Sequence, residues 1–406
     1  MALATFGLGV NGFVIAGILQ PLAEELHITV ATAGQSVTVF GVVYAIAAPL
    51  MARVTSSASR RAALGVTLAV FALASVATAL APSFGTLMLS RAAAGIAAAA
   101  ITPLALSTAR ELVPPDRANR AVAMVLGGMT TSIVFGVPAG TILGNAVSWR
   151  ATMLLVAAIS AIAGVAVTAL IPTGLRGPAP ASAPAVSTAR NLGAIANLAV
   201  TVTWMTGGIA VLTYASVVFA HVDRGHDRLP VLLFVFGGAC VVGNWAGGYA
   251  SDKWSADATA AASLVLTAVS LTGLAVLTVT SPPAVLHTWI VLAAVAGWGF
   301  GDWSVTPPQV ARLLRHAPDR STLILAWNSS AIYIGVSLGA LLGGLLIAHA
   351  GPVLLPLTGA ALQVLALAVV LATWNRHETA RKQSSRCASP APSATRSSLA
   401  DSTCGR

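Results

Sequence analysis

Charge is what this sequence has least of. Asp, Glu, Lys and Arg supply 8% of its 406 residues, against about 25% in an ordinary soluble protein. So few charged side chains cannot cover a water-soluble body of this size, which excludes two or three soluble domains and makes lipid the main solvent. Acid is scarcer than base, with 12 Asp and Glu against 22 Lys and Arg, a net charge of +10. Cysteine is nearly absent. Cys240, Cys387 and Cys404 form neither a disulfide framework nor a metal-ligand spacing. His27, His221, His226, His316, His349 and His377 fall in loops or at helix ends and His287 at the start of an apolar run, again without metal spacing. No Gly-x-x-x-x-Gly-Lys-Ser/Thr loop occurs, so ATP is not the expected energy source and no cofactor or metal is expected.

What is present is apolar sequence, 56% of residues, at a mean hydropathy of +0.84. A membrane-spanning helix needs about 20 such residues, because the hydrocarbon core is ~30 Å thick and a helix rises 1.5 Å per residue. Runs of that length are predicted at 3–22, 31–52, 62–81, 86–108, 121–144, 151–171, 194–217, 230–250, 258–279, 286–309, 322–347 and 353–374. They show no sustained alternation, so they read as helices and not barrel strands. The first run is too long, and its start too poor in Lys and Arg, for a secretory signal, and is expected to be retained.

The basic residues orient the chain. With both termini inside, 18 of the 22 Lys and Arg fall in inner segments, three (Arg150, Arg224, Arg228) fall outside, and Arg91 lies within a span. That is the positive-inside pattern. The surplus charge is thus a topology signal, and because it is scattered over short loops it argues against nucleic-acid binding.

The longest internal polar break, 172–193, is rich in Pro, Ala and Ser and reads as a flexible cytoplasmic linker. It divides the chain into six-helix halves at 1–171 and 194–374, followed by a basic tail at 375–406 that is expected to be disordered. Two internal echoes support a repeat. Gly136, Gly140 and Gly144 on the fifth run recur as Gly335, Gly339 and Gly343 on the eleventh, and Pro115-Asp116-Arg117 recurs as Pro318-Asp319-Arg320. Each Asp is placed to cap a helix start. Glycines four apart make a smooth helix face. That face serves either static packing or a sliding surface against the opposite half, and Pro138 within the fifth run is expected to permit a bend.

Several of these residues match a family. Leu89-Ser90-Arg91-Ala92-Ala93-Ala94-Gly95 resembles the Arg-centred motif of the major facilitator superfamily. Gly127-Gly128 through Gly136-Val137-Pro138-Ala139-Gly140 resembles the helix 5 antiporter motif of its drug exporters, and Trp149-Arg150-Ala151 and Asn328…Gly335…Gly339…Gly343-Gly344 are similar to the twelve-helix chloramphenicol-resistance and arabinose-efflux-type group. The resemblance covers about residues 5–372. It implies an all-α membrane protein, twelve helices in two halves, that exchanges a drug for protons. Gating and packing roles pass to Gly128, Gly136, Pro138, Gly140, Gly144, Gly335, Gly339 and Gly343. The sequence also departs from the pattern. Between the second and third runs Arg60 and Arg61 keep the family's basic pair, but Ser56 stands where an Asp is expected; the second half keeps Asp252-Lys253. Before Phe13-Val14-Ile15, where many relatives carry an acid, this chain has Asn11-Gly12.

Two ionisable residues then stand at membrane depth, where a charge costs at least ~2.5–3.5 kcal/mol. Arg91 holds a proton-linked network, meets an anionic substrate, or is a structural residue bonded to carbonyls of adjacent helices. Asp302, in Gly301-Asp302-Trp303, is either a buried, reversibly protonated carboxyl or a wet residue at a cytoplasmic mouth. The two sit at different depths and are not expected to pair. A central cavity is expected from Asn11, Gln35, Tyr44, Trp204, Met205, Tyr214, Asn244, Trp298, Trp303 and Asn328, an aromatic lining suited to a hydrophobic solute, although each aromatic taken singly suits packing as well. The reading is a monomeric secondary transporter of the bacterial inner membrane, driven by the proton gradient, that moves a small molecule outward through the bilayer. A sugar or nucleoside exporter, a polytopic membrane enzyme and a transport-dead sensor are the alternatives.

Overall fold

The computed structural model describes residues 1–406 apart from 57, 115–116, 176–191, 224–227, 281–282, 317–320 and 389–406. Most of the predicted linker, Asp116 and Pro318-Asp319-Arg320 therefore lie outside the described residues. The first six spans are built from α1 (Ala2–Phe13), α2 (Ile15–Glu25), α3 (Val30–Ser56), α4 (Arg60–Ala79), α5 (Phe84–Glu111), α6 (Ala118–Thr131), α7 (Val137–Ala146) and α8 (Trp149–Leu170). The last six comprise α9 (Leu192–Thr213), α10 (Ala215–Val222), α11 (Leu229–Lys253), α12 (Ala256–Val279), α13 (Ala284–Ser304), α14 (Thr306–His316), α15 (Ser321–His349) and α16 (Leu354–Ala388). Eleven spans are long and apolar enough to cross a membrane, and the pair α1 and α2, bent by 52°, makes a twelfth. The last helix runs past the position where the tail was expected to begin, and residues 389–406 lie outside the described residues.

Local chemistry explains the interruptions. Pro138 has no N–H and its ring crowds the carbonyl four residues back. The chain absorbs this by a π-helical turn at Ser132–Gly136 just before it, and the span Arg120–Ala146 continues through. The helix accommodates Pro138 through one widened turn. At Val305 the tenth span breaks, and α14 restarts with Thr306-Pro307-Pro308, where proline is tolerated because the first helical N–H groups are unpaired anyway. Serines close the short connections: Ser83, Ser148 and Ser255 accept backbone hydrogen bonds at the starts of α5, α8 and α12. Helix α6 begins after Arg117 without a side-chain cap.

Alternate crossings bring Arg60, Glu111, Lys253, Arg312 and Arg315 to one end of the bundle, the basic face, and Glu25 and Arg150 to the opposite face. The halves meet along two seams. Helix α3 lies against α15, and α11 lies against the π turn and α7, with α2 touching α10. The seams are dry and tight, with Gly41 of α3 against Ser337 and the carbonyl of Tyr333, and Gly237 of α11 against the backbone of Ile133 and Val134.

Candidate functional site

The repeated glycine faces turn inward on their own halves. Gly128 abuts Ala2 and Thr5, Gly136 abuts Val10 and Phe6, Gly140 abuts Val14, and Gly144 abuts Ile18, all on α1, α2 or the residue between them. In the second half Gly335 meets Met205, Gly339 meets Ile209 and Gly343 meets Tyr214. The contacts are equivalent, since Met205 and Ile209 follow Val10 and Val14 by 195 residues. The sliding-surface reading is thereby corrected: these glycines let the first and fifth spans of each half pack closely, against side chains at Gly136, Gly140 and Gly144 and also against backbone at Gly128, Gly335, Gly339 and Gly343. A methyl at Gly335 or Gly339 would meet backbone atoms, which cannot yield as a flexible side chain would. The glycines on the seams are others, Gly34, Gly41 and Gly237, which periodic spacing did not single out.

In the first half Arg91 of α5 is fully buried. Its Nη1 donates to Asn11 Oδ1 at 2.6 Å, its Nε donates to the Ser36 carbonyl at 3.4 Å, and the guanidinium lies 4.6 Å from the Phe40 ring centroid. Asn11 in turn donates to Ser75 Oγ at 3.4 Å. The guanidinium is thus held by neutral groups and an aromatic face, and its Nη2 and the nearby Ser36 hydroxyl find no protein partner. Among the described residues no carboxylate pairs with it.

The second half holds the opposite charge. Asp302 of α13 is buried, 6% exposed, which excludes the wet mouth. It stands 17 residues from Val285 and 13 from Arg315 in its span, near the middle. Trp204 Nε1 of α9 donates to its Oδ1 at 2.9 Å, and Gly208, one turn on, leaves room for the carboxyl, which a Cβ there would touch. Among the described residues no base pairs with Asp302. Gln363 of α16 anchors the same helix by donating to the Trp204 carbonyl at 3.1 Å. Sequence reasoning missed Gln363, although a lone amide in the middle of the twelfth run was a visible signal.

The remaining cavity candidates do not gather round one chamber. Tyr214, at the break between α9 and α10, sets its hydroxyl 2.9 Å from the Ala340 carbonyl and 3.3 Å from the Ala31 carbonyl. Its ring faces Gly34 and Gly343, and Gln35 lies against Gly344. Together these close the seam toward the face opposite the basic one. Tyr44 is stacked on Tyr333 at 3.4 Å across the α3–α15 seam, and Trp303 meets Phe13 edge-on at 6.3 Å across the halves. Trp298 packs on Phe236 at 4.5 Å with its indole N–H unpartnered. Met205 is spent against Gly335, and Asn244 is half-buried on α11. Between the halves lie small voids, among them two of about 10 and 20 Å³ lined by Phe13, Val37, Ile209, Leu212, Phe236 and Trp303 among others. Each holds a water at most, far below the ~300 Å³ of a ligand pocket. A solute enters this centre only when the seams part.

At the basic face each half carries an ion pair, and the polarity is reversed between them. Arg60 at the start of α4 bonds Glu111 at the end of α5, at 2.9 Å. Asp257 at the start of α12 bonds Arg312 of α14 at 2.8 Å and Arg315 at 2.8 Å. Arg312 is 1% exposed and also donates to Gln309 and Thr373. Gln309 extends the network to Thr201, which donates to Asn328 Oδ1 at 2.9 Å. Asn328 thus belongs to this network. Asp257, Gln309 and Arg312 escaped sequence reasoning because charges at helix ends look like solvated loop residues until the packing is known. Arg61, Asp252 and Lys253 lie at the same face, Asp252 and Lys253 exposed. No group of three or more His, Cys, Asp or Glu residues forms a metal site among the described residues.

The family model described as Major Facilitator Superfamily matches residues 1–322 and 231–402. The chain is 31% identical to the chloramphenicol resistance protein of Streptomyces lividans, over 92% of this chain and 94% of that one. It is 29% identical to the inner membrane transport protein YdhP of Escherichia coli (strain K12), over 91% and 94%. Its fold is similar to the partially occluded inward open xylose transporter XylE from E. coli, with a TM-score of 0.70 and 14% identity over 92% of this chain and 97% of that one.

Proposed function

This chain belongs to the major facilitator superfamily, and from that premise we propose that it is a proton-coupled exporter of small hydrophobic, drug-like compounds. The family and the matched relatives are transporters, so the chain is a multi-pass membrane transporter and not an enzyme. The observation that carries the finer reading is Asp302, a carboxyl near the middle of its span with Trp204 Nε1 as donor and, among the described residues, no cation beside it. An ionised carboxylate there has no counter-charge to offset its lost hydration. Taking up a proton removes that cost, so Asp302 alternates between neutral and charged as it meets one side of the membrane and then the other. Its chain neighbour Trp303 touches Phe13 of the other half, which sets the proton site beside the contact that must part for a solute to pass.

The basic face is the cytoplasmic face, both termini lie inside, and the molecule acts as a monomer in the bacterial inner membrane. Closure at Tyr214 then faces outward, so the seams open from the cytoplasmic side first, as loading of an exporter requires. Arg91 organises the first, second and fourth spans through Asn11 and the Ser36 carbonyl and stays a cation throughout. An apolar, aromatic centre with few fixed hydrogen-bonding groups favours hydrophobic solutes over sugars. The name of the Streptomyces lividans relative makes chloramphenicol the first compound to test. Everted vesicles containing the protein are expected to accumulate the compound when acidified inside, and an uncoupler is expected to abolish the accumulation. Accumulation that survives the uncoupler would rule out proton drive.

A further inference from the structure

Outside the seams, a groove of about 510 Å³ lies between α11, α12 and α13, near the basic face. Trp245, Tyr249 and Trp254 form one wall, Ala262 and Leu266 the other, and Phe300 the floor. No residue of the first half lines it, so it is separate from the solute route. Trp245 is 72% and Trp254 71% exposed, so this wall offers flat aromatic surface to the lipid. The α12 wall extends from Ala258 to Leu266, about 12 Å at 1.5 Å per residue. That is close to one leaflet of a hydrocarbon core ~30 Å thick. The mouth is polar. Lys253 Nζ lies 5.6 Å from the Tyr249 ring and 5.9 Å from the Trp254 ring, held at the level of the interfacial aromatics. Among the described residues of α11, α12 and α14, the charges at this end are Lys253, Arg312 and Arg315 against Asp252 and Asp257, one positive charge in surplus.

We propose that this groove is a site for a monoanionic phospholipid of the leaflet at the basic face, with one acyl chain between α11 and α12 and its phosphate at Lys253. Length selects a lipid chain from one leaflet, the exposed tryptophans supply its cover, and the surplus positive charge selects an acidic headgroup over a zwitterionic one. The site is independent of proton coupling and of which compound is transported.

The test is native mass spectrometry of the full-length protein in mild detergent, titrated with phosphatidylglycerol or phosphatidylcholine. The wild type is expected to retain one phosphatidylglycerol in preference to phosphatidylcholine. Lys253→Gln is expected to weaken phosphatidylglycerol retention about fivefold, the factor for one lysine charge at an anionic surface, and to erase the preference. Ala262→Trp, which fills the groove, is expected to lose both lipids, and Trp254→Ser, at the exposed rim where folding is not at stake, to lose them in part. Equal retention by wild type, Lys253→Gln and Trp254→Ser would overturn the proposal, as would equal retention of the two lipids by the wild type. A cross-link between two copies through position 245 would overturn it as well, by assigning the face to a dimer.

Discussion

Among the described residues the two halves each bury a charged group without an ionic partner, of opposite sign, and they hold it in different ways. In the first half the guanidinium of Arg91 rests on Asn11, a backbone carbonyl and an aromatic face. It stays a cation, and nothing described near it can take a proton at neutral pH. In the second half the carboxyl of Asp302 has one neutral donor, Trp204, and can change charge. The same reversal appears at the basic face, where the first half places base before acid (Arg60, Glu111) and the second places acid before bases (Asp257, Arg312, Arg315). A shared scaffold, visible in the matched glycine contacts, therefore carries opposite electrostatics. On the proposed function, the first half is a fixed positive frame and the proton is carried by the second.

The comparison breaks most visibly at the ion pairs. Arg312 and Asp257 are 1% and 7% exposed in their side chains, whereas Arg60 and Glu111 are 9% and 27%. Removing one member of a buried pair costs about 3–5 kcal/mol because the partner is left charged and unsolvated. Asp257→Ala is expected to destabilise the protein by roughly that amount, read as a fall in the detergent melting temperature, and Glu111→Ala by clearly less. Equal losses would show that burial does not distinguish the two rims. A smaller effect sharpens the comparison at membrane depth. Asn11→Leu removes a hydrogen bond to a charged group, worth about 1.5–3 kcal/mol, and lowers the melting temperature. Asn11→Asp keeps the contact and supplies a counter-charge, so it is expected to hold or raise it. Destabilisation by Asn11→Asp would mean that Arg91 already has a negative partner.

Much of this was legible in the sequence, and the reasons differ by level. Twelve spans were readable because hydrocarbon thickness fixes their length. Arg91 and Asp302 stood out because charge at that depth is expensive. Pro138 and Pro307-Pro308 marked where the helices are interrupted, but the form of each interruption, a π turn before Pro138 and a restart after Val305, was not readable because it depends on the packing around the run. The glycine faces were visible, but their partners were not: spacing shows that a face is smooth, and only packing shows that Gly136 meets Val10 and Gly335 meets Met205. The assembly of Tyr44, Trp204, Tyr214 and Asn328 into one cavity failed for the same reason. Each is polar or aromatic at a plausible depth, yet Tyr44 is stacked in a seam, Tyr214 closes one face, Asn328 joins the Arg312 network and Trp204 serves Asp302.

The division of labour between the halves stands or falls on Asp302. In proteoliposomes, wild type and Asp302→Asn are compared in two modes, uphill accumulation driven by a pH gradient and passive exchange of labelled for unlabelled compound. Asparagine keeps the shape and can still accept from Trp204, so exchange is expected to persist while gradient-driven accumulation falls to the level seen with an uncoupler. Accumulation by Asp302→Asn equal to that of wild type would contradict the account and move the proton site elsewhere in the molecule.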